Sequence, residues 1–126
     1  MIYGIGIDLV KIKRIDDAHR RWGKRFHNKA FTAGEIQYCL KKKEPAASFA
    51  ARFAAKEALV KALGIGLRRG VHLRDVEVQR GGLGKPVLKL HGRAEEICAR
   101  EGITGIFLSL THDQDFSGAV VVLEKS

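Results

Sequence analysis

Three charged side chains, Asp8, Glu57 and Lys61, are the residues whose types and spacing could do chemistry. Asp8 lies near the end of an otherwise apolar segment, where burying a carboxylate is costly unless it is paired or coordinated. Glu57 and Lys61 are one helical turn apart in RFAAKEALVKAL and, at roughly 100° per residue, point away from Arg52 and Lys56. Mg²⁺ is commonly held by one or two carboxylates together with phosphate oxygens and water. The pattern therefore predicts a buried metal–phosphate site, provided that the fold brings the two carboxylates together.

Each of these residues also has a structural interpretation. A helix is expected within a few residues of Asp8, so Asp8 could be its N-cap, and position alone favours that role. Glu57 and Lys61 stand at i,i+4 in the favourable order for a plain helix ion pair, worth a few tenths of a kcal/mol. For that pair taken by itself, the ion pair is the better interpretation.

Two further segments offer contacts for a phosphate group. The turn GGLGKP (81–86) has exposed backbone N–H groups and Lys85, which could cradle a phosphate, although the same residues make a good hairpin turn. His112 ends a segment of the buried-strand type and follows the hydroxyl residue Thr111. A lone histidine at such a place is more often structural than catalytic, but a sheet edge beside a hydroxyl is also suited to a phosphate contact.

The overall charge indicates acidic partners. The 126 residues carry a formal net charge of +9, and the pI is ≈ 9.9, which favours anionic ligands or proteins. Arg14, Arg21 and Arg25 stand at i, i+7 and i+11, so we predict that they form one stripe that binds something acidic. We expect no nucleic acid, because aromatic residues are not interleaved with the cations and no helix-turn-helix, RRM or KH signature is present.

Composition narrows the class of protein further. The length fits one domain over residues 1–126. No apolar run approaches the ~20 residues needed to span a bilayer, so we expect no membrane insertion. Cys39 and Cys98 show neither metal-ligand nor disulfide spacing, which is compatible with a cytoplasmic protein in a reducing compartment.

Periodicity and turn residues predict a single α+β domain. The predicted strands are 2–9, 75–80, 86–90, 106–112 and 118–124, and the predicted helices are 13–22, 33–41, 45–63 and 92–101. Thr32 and Glu35 have capping-box spacing at the start of the short helix, while Pro45 and Gly64 suit the two ends of the long one. Residues 64–70 are expected to be a flexible loop. The two late hairpins imply antiparallel pairing.

Four stretches taken together resemble a known family. GIGIDLV (4–10), FT--E (31–35), RFAAKEALVKALGIG (52–66) and SLTHD (109–113) are similar in order and spacing to holo-[acyl-carrier-protein] synthases, the small bacterial type of 4′-phosphopantetheinyl transferase. GKPVLKLHGRA (84–94) also fits. The resemblance implies that family's α+β fold, with an antiparallel sheet and one long central helix. It also implies a homotrimer with active sites between protomers, which would explain the alanine-rich side of the long helix.

The resemblance further implies a reaction: transfer of 4′-phosphopantetheine from coenzyme A to a serine of apo acyl carrier protein, releasing adenosine 3′,5′-bisphosphate, in fatty acid biosynthesis. Asp8 and Glu57 match the ligands of Mg²⁺, with Mn²⁺ also possible. Glu57 or a metal-bound water would be the base, and Lys61 would stabilise the leaving group. Residues that match coenzyme A-binding segments are Arg52, Lys61, Gly84, Lys85, Pro86, Thr111 and His112. Residues that match the carrier-protein docking helix are Arg14, Arg21 and Arg25.

Two other functions compete with the transferase. A basic module that binds RNA or another polyanion would explain the charge, but it leaves Asp8, Glu57 and Lys61 without a task. A Mg²⁺-dependent hydrolase of a nucleotide diphosphate would use the same carboxylates, but it would not need an acidic protein partner.

Overall fold

The computed structural model describes residues 1–64 and 70–126. The strands are β1 (Ile2–Lys11), β2 (Val76–Arg80), β3 (Pro86–Leu90), β4 (Ile103–His112) and β5 (Phe116–Lys125). The helices are α1 (Ile12–Trp22), α2 (Lys24–Ala30), α3 (Ala33–Leu40), α4 (Pro45–Leu63) and α5 (Gly92–Arg100). Short 3₁₀ turns occupy Leu73–Asp75 and Gly82–Gly84. Within these residues no helix has both the length and the apolar composition needed to cross a bilayer.

Two antiparallel sheets carry the strands. The larger sheet has the order β1-β5-β4, so the first strand pairs with the last, and the smaller sheet is the β2–β3 hairpin. The helix α4 packs against one face of the larger sheet, chiefly on β1 and β5. It is buried on nearly all sides, with Phe49 and Leu59 among its fully buried residues. The predicted α+β class, with an antiparallel sheet and a long central helix, is confirmed.

Glycines allow β1 to lie directly on the backbone of α4. A Cβ on Gly6 would lie 1.8 Å from the carbonyl oxygen of Ala58, and one on Gly4 would lie 2.0 Å from that of Ala62. Only glycine opposite alanine permits such an approach. The alanine-rich side of α4 is therefore covered by this chain's own sheet, so the expectation that contact between protomers explains it was wrong.

The opposite side of α4 is anchored by a buried ion pair. Lys56 Nζ lies 2.7 Å from Glu35 Oε1, and both side chains are fully buried. Lys56 also donates to the carbonyls of Leu73 and Val76, and Glu35 accepts a hydrogen bond from the backbone N–H of Val78. Burial outweighs the attraction of Glu35 and lowers the pKa of Lys56. The pair therefore ties α3, α4 and β2 together.

Most element boundaries follow the predicted ones. The Thr32–Glu35 capping box is present, Pro45 begins α4, and Gly64 ends it in the left-handed conformation (φ 75°). Three differences stand out: β4 and β5 are longer than predicted, and α2 was not predicted at all. The predicted loop at 64–70 lies outside the described residues except for its two ends.

Candidate active site

Asp8 and Lys61 meet where β1 crosses α4. Lys61 Nζ lies 3.0 Å from Asp8 Oδ1 and 3.1 Å from the carbonyl oxygen of Ile7. The side chain of Asp8 is only 15% exposed, whereas that of Lys61 is 56% exposed. The carboxylate is thus mostly enclosed by the fold, and the ammonium group reaches it from the solvent side.

Strand alternation explains why Asp8 faces the helix. Gly4, Gly6, Asp8 and Val10 lie on the side of β1 that packs on α4, whereas Ile5 and its alternate neighbours lie on the other side. The close approach of β1 to α4 requires glycine at position 6. It also brings Asp8, the next residue on the same side of the strand, to the helix. Sequence alone could not show this meeting, because it depends on how the strand crosses the helix.

Glu57 shares this environment. Its pKa is raised, first by burial and then by the negative charge of Asp8, and the charges of Lys61 and Arg14 partly oppose that shift. The two predicted carboxylates are therefore close enough to repel each other. Such a pair is stabilised by a cation between or beside its members.

The two structural interpretations of these residues do not hold. The N-cap residue of α1 is Lys11, not Asp8. The ion pair of Lys61 is made with Asp8 across 53 residues of sequence rather than with Glu57 one turn away.

Among residues 1–64 and 70–126, no group of three or more His, Cys, Asp or Glu side chains is placed to hold a metal ion. The donors that the described chain offers at this site are the two carboxylates.

A second candidate region is a cationic cavity of about 620 Å³. It lies between α3, the start of α4, the β2–β3 hairpin and the end of β4. It is lined by Tyr38, Lys42, Lys43, Glu44, Ala47, Ser48, Ala51, Arg52, Arg80, Pro86, Leu110 and His112. Three residues predicted to bind coenzyme A, Arg52, Pro86 and His112, thus come together here. Tyr38, Lys42 and Arg80 were missed.

Arg52 is held with one of its donors unused. Its Nη1 donates to Ser48 Oγ at 3.0 Å and to the Ser48 carbonyl at 3.3 Å, and its guanidinium lies 4.2 Å from the centre of the Tyr38 ring. Its Nε is buried without a hydrogen-bond partner in the described structure. An unpaired buried donor is costly. Arg52 therefore carries one buried donor whose hydrogen bond the described residues do not supply.

The other predicted ligand contacts are divided between different places. Gly84 and Lys85 lie in the exposed turn between β2 and β3, and Arg80 donates to the Gly84 carbonyl. Thr111 pairs with Gly118 across β4 and β5, on the face of the sheet away from α4, whereas His112 lines the cavity. The adjacent residues Thr111 and His112 therefore point to opposite faces.

The basic stripe is not a single helical row. The helix α1 ends at Trp22, and Gly23 (φ 52°) separates it from α2, so Arg25 lies on a different helix from Arg14 and Arg21. The prediction of one continuous stripe was wrong. Arg21 and Arg25 still converge, because their guanidinium groups lie 5.1 and 5.9 Å from the centre of the half-exposed Trp22 ring.

Arg14 occupies different surroundings. Its guanidinium lies 5.9 Å from the ring centre of Phe53, and its charge acts on Glu57. Elsewhere on α1, Asp17 pairs with Lys13 and Asp16 with Arg20, both at 3.1 Å. The helix's own carboxylates thus neutralise other cations and leave the Arg21–Trp22–Arg25 cluster positive.

The outer face of the larger sheet is apolar and exposed. Its side chains belong to the residues of each strand that point away from α4: Ile5, Ile7 and Leu9 on β1, Val120 and Val122 on β5, and Phe107 on β4. Ile7 is 70% exposed and Phe107 is 54% exposed. A contiguous apolar surface of this kind usually marks an interface.

Comparison with known proteins gives one consistent family. The family model described as the 4′-phosphopantetheinyl transferase superfamily matches residues 4–121. The holo-[acyl-carrier-protein] synthase of Syntrophus aciditrophicus (strain SB) is 48% identical over 124 residues, which is 98% of this chain and 97% of the relative. The crystal structure of the synthase from Neisseria meningitidis superposes with a TM-score of 0.90 at 37% identity, covering 99% of this chain and 100% of that one. The synthase from Helicobacter pylori, in complex with coenzyme A, superposes with a TM-score of 0.84 at 32% identity, covering 95% and 99%. The chain therefore belongs to the 4′-phosphopantetheinyl transferase superfamily.

Proposed function

We propose that the chain carries out its transfer of 4′-phosphopantetheine, from coenzyme A to a serine of apo acyl carrier protein, with a divalent cation held by Asp8 and Glu57. The observation that carries this proposal is the meeting of Asp8, Glu57 and Lys61 at the crossing of β1 and α4. Neither a plain polyanion-binding module nor a structural ion pair requires two mutually repelling carboxylates at that place.

The donor set fits Mg²⁺, and Mn²⁺ would fit the same oxygens. Mg²⁺ prefers carboxylate oxygens, and it usually completes its coordination with substrate phosphates and water. When bound, the cation would neutralise the diphosphate of coenzyme A and stabilise the charge that develops on it. Asp8 and Glu57 would hold it, while Lys61 already compensates part of the negative charge of Asp8.

The chain's own groups then account for the transfer. The serine oxygen of the carrier forms a bond to the phosphorus that bears pantetheine, and the bond from that phosphorus to the adenylate phosphate oxygen breaks. The electron pair remains on the released adenosine 3′,5′-bisphosphate, where the ammonium of Lys61 stabilises it. The serine proton passes to Glu57 or to water. Burial, and then the negative charge of Asp8, raise the pKa of Glu57, and a bound cation would act in the opposite direction.

The cationic cavity suits the remaining anionic group of coenzyme A, its 3′-phosphate. Arg52, Arg80, Lys42 and Lys43 supply the positive charge. Asp8, Glu57 and Lys61 do not line this cavity. Arg52 and Glu57 also lie roughly 140° apart around α4, given five residues at 100° each. One coenzyme A molecule therefore needs a way to reach both regions.

A second copy of the chain supplies that connection. The exposed apolar sheet face lies on the opposite side of β1 from Asp8 and also carries Thr111. Covering it with a neighbouring protomer would bury the apolar residues and bring a second copy of the chain against β1. We therefore propose the trimer, with each active site between protomers, as the working form.

The carrier protein is proposed to dock on the Arg21–Trp22–Arg25 cluster. Acyl carrier proteins are small and acidic, and this cluster combines two cations with an exposed aromatic side chain. Aromatic and arginine side chains dominate the binding energy of many interfaces.

We also assign the reaction to fatty acid biosynthesis in the cytoplasm. The two buried free thiols, Cys39 and Cys98, are compatible with that reducing compartment.

The proposal is tested by the intact mass of apo acyl carrier protein after incubation with the protein, coenzyme A and Mg²⁺. We expect a gain of one phosphopantetheine that disappears with EDTA and returns with added Mg²⁺ or Mn²⁺. Asp8→Asn and Glu57→Gln should each lower kcat at least ~100-fold, because each removes a charged ligand.

The matched control is Glu96→Gln, which makes the same chemical change in an exposed ion pair on α5. It should retain the wild-type rate, and all three variants should keep the wild-type circular dichroism spectrum. Full activity of Asp8→Asn, or transfer that is insensitive to EDTA, would contradict the metal assignment.

A further inference from the structure

Tyr38 occupies an unusual place in the cationic cavity. It is half-buried on α3, and three cations surround its ring. The guanidinium carbons of Arg52 and Arg80 lie 4.2 and 5.2 Å from the ring centre, and Lys42 Nζ lies 4.5 Å from it. These cations come from α4, β2 and the segment after α3. The Tyr38 ring is the one group that contacts all three cations.

The phenol oxygen fixes the position of Arg80. Arg80 Nε donates to Tyr38 Oη at 3.0 Å, and Nη2 donates to the same oxygen. The third nitrogen, Nη1, donates to the carbonyl of Gly84 in the β2–β3 turn. The exposed Arg80 side chain is thus held at both ends, and the guanidinium keeps further N–H groups for a ligand.

We propose that Tyr38 is a positioning residue, which holds Arg80 and Arg52 in place to receive the 3′-phosphate of coenzyme A. This inference rests on the proposed location of that phosphate in the cavity. A flexible arginine loses side-chain entropy when it binds an anion, and a pre-positioned one has already lost it. Tyr38 therefore acts on the affinity for the donor substrate rather than on the chemical step.

Ionisation of Tyr38 adds a pH dependence. Burial opposes loss of the phenol proton, but hydrogen bonds from Arg80 and Lys42 outweigh it and lower the pKa of Tyr38 to about 8. The charged and titratable groups that face this cavity are Arg52 from α4, Arg80 from β2, Lys42, Lys43 and Glu44 from the α3–α4 segment, and His112 from β4. A phenolate would add one negative charge to the cavity and so lower its net positive charge by one. Affinity for the phosphate should therefore fall as pH rises through about 8.

The test compares two donor substrates and two tyrosine variants. Coenzyme A carries the 3′-phosphate, whereas dephospho-coenzyme A lacks it and keeps the diphosphate. Tyr38→Phe removes only the hydroxyl. Tyr3→Phe is the matched control, because its hydroxyl donates to Glu101 Oε1 on another part of the molecule. Thermal melting of both variants is the control for folding.

We expect Tyr38→Phe to raise the KM for coenzyme A about tenfold, which is the effect of one lost charge-assisted contact. Its kcat and its KM for dephospho-coenzyme A should stay within about twofold of wild type, and Tyr3→Phe should match wild type throughout. In the wild type the KM for coenzyme A should increase above pH 8, and in Tyr38→Phe this increase should be absent. An unchanged KM for coenzyme A, or an equal loss with both donors, would overturn the proposal.

A double-mutant cycle checks that Tyr38 acts through Arg80. Arg80→Gln should raise the KM for coenzyme A, and adding Tyr38→Phe should raise it no further. Multiplicative effects would overturn the positioning role. If the wild type uses both donors with equal KM, the phosphate does not bind in the cavity, and this inference falls while the transfer and the metal site stand. If the wild type transfers nothing, the proposed function itself has failed.

Discussion

At the scale of single residues, the three arginines predicted to dock the carrier have different surroundings. Arg14 acts on Glu57 and packs over Phe53, so its replacement would disturb the proposed cation site as well as the surface. Arg21 lies over the exposed Trp22 ring and makes no ion pair among the described residues. Arg21 is therefore the residue on which a docking role can be tested separately from catalysis.

Reversal of this charge should weaken carrier binding and leave donor binding intact. We expect Arg21→Glu to raise the KM for apo acyl carrier protein about tenfold, or ~1.4 kcal/mol, because a like charge then faces the acidic partner. The KM for coenzyme A should not change, and the defect should shrink as salt is added. Arg100→Glu, which makes the same charge change on the exposed end of α5, is the control for net charge. Equal defects in the two variants, or equal losses for both substrates, would contradict docking at Arg21.

At the scale of elements, the contact between β1 and α4 positions the two carboxylates that we propose to hold the cation, Asp8 and Glu57. Any side chain at position 6 would collide with the backbone of α4, since its Cβ would lie 1.8 Å from the Ala58 carbonyl oxygen. Gly6→Ala should therefore destabilise the fold by more than about 4 kcal/mol or prevent folding. Gly82→Ala is the matched control, because a Cβ there meets nothing within 4 Å. Chemical denaturation measures both, and a Gly6→Ala protein of wild-type stability would show that the strand does not lie so close to the helix.

The elements also show where prediction from sequence stops. Local chemistry predicted the capping box at Thr32 and the ends of α4 at Pro45 and Gly64, because those signals act within one turn. The pairing of β1 with β5, the second helix α2 and the buried Lys56–Glu35 pair were not predicted, since they depend on contacts distant in sequence. The resemblance to a known family named Asp8 and Glu57, but only the crossing of strand and helix brings them together.

The same limit explains the residues missed in the cationic cavity. Lys42 lies within a run of three lysines (41–43), and neither Tyr38 nor Arg80 belongs to a motif in the sequence. Their contacts arise when the β2–β3 hairpin packs beside α3, which brings residues 42 positions apart within hydrogen-bonding distance. A single sequence carries no local signal for such a contact.

At the scale of the whole molecule, the three candidate regions lie at different places on one chain. The carboxylates lie on one side of α4, the cationic cavity on another, and the basic Trp22 cluster at the α1–α2 junction. The apolar outer face of the β1-β5-β4 sheet is the surface through which copies of the chain can join these regions. If the proposed trimer is the working form, assembly is a requirement for transfer, and the two can be measured together.

A lysine on that face should dissociate the assembly without unfolding the chain. Ile5 is 60% exposed and points away from α4, so Ile5→Lys costs an isolated chain little but would bury a charge at an interface. Light scattering should give the wild type about three times the chain mass of 13.9 kDa, and Ile5→Lys the mass of one chain. We expect the variant to keep its circular dichroism spectrum and to lose transfer, with activity recovering at high protein concentration. Leu40→Lys, on an exposed apolar residue of α3, is the control and should stay trimeric and active. A monomeric wild type, or a monomeric Ile5→Lys with full activity, would show that each chain works alone.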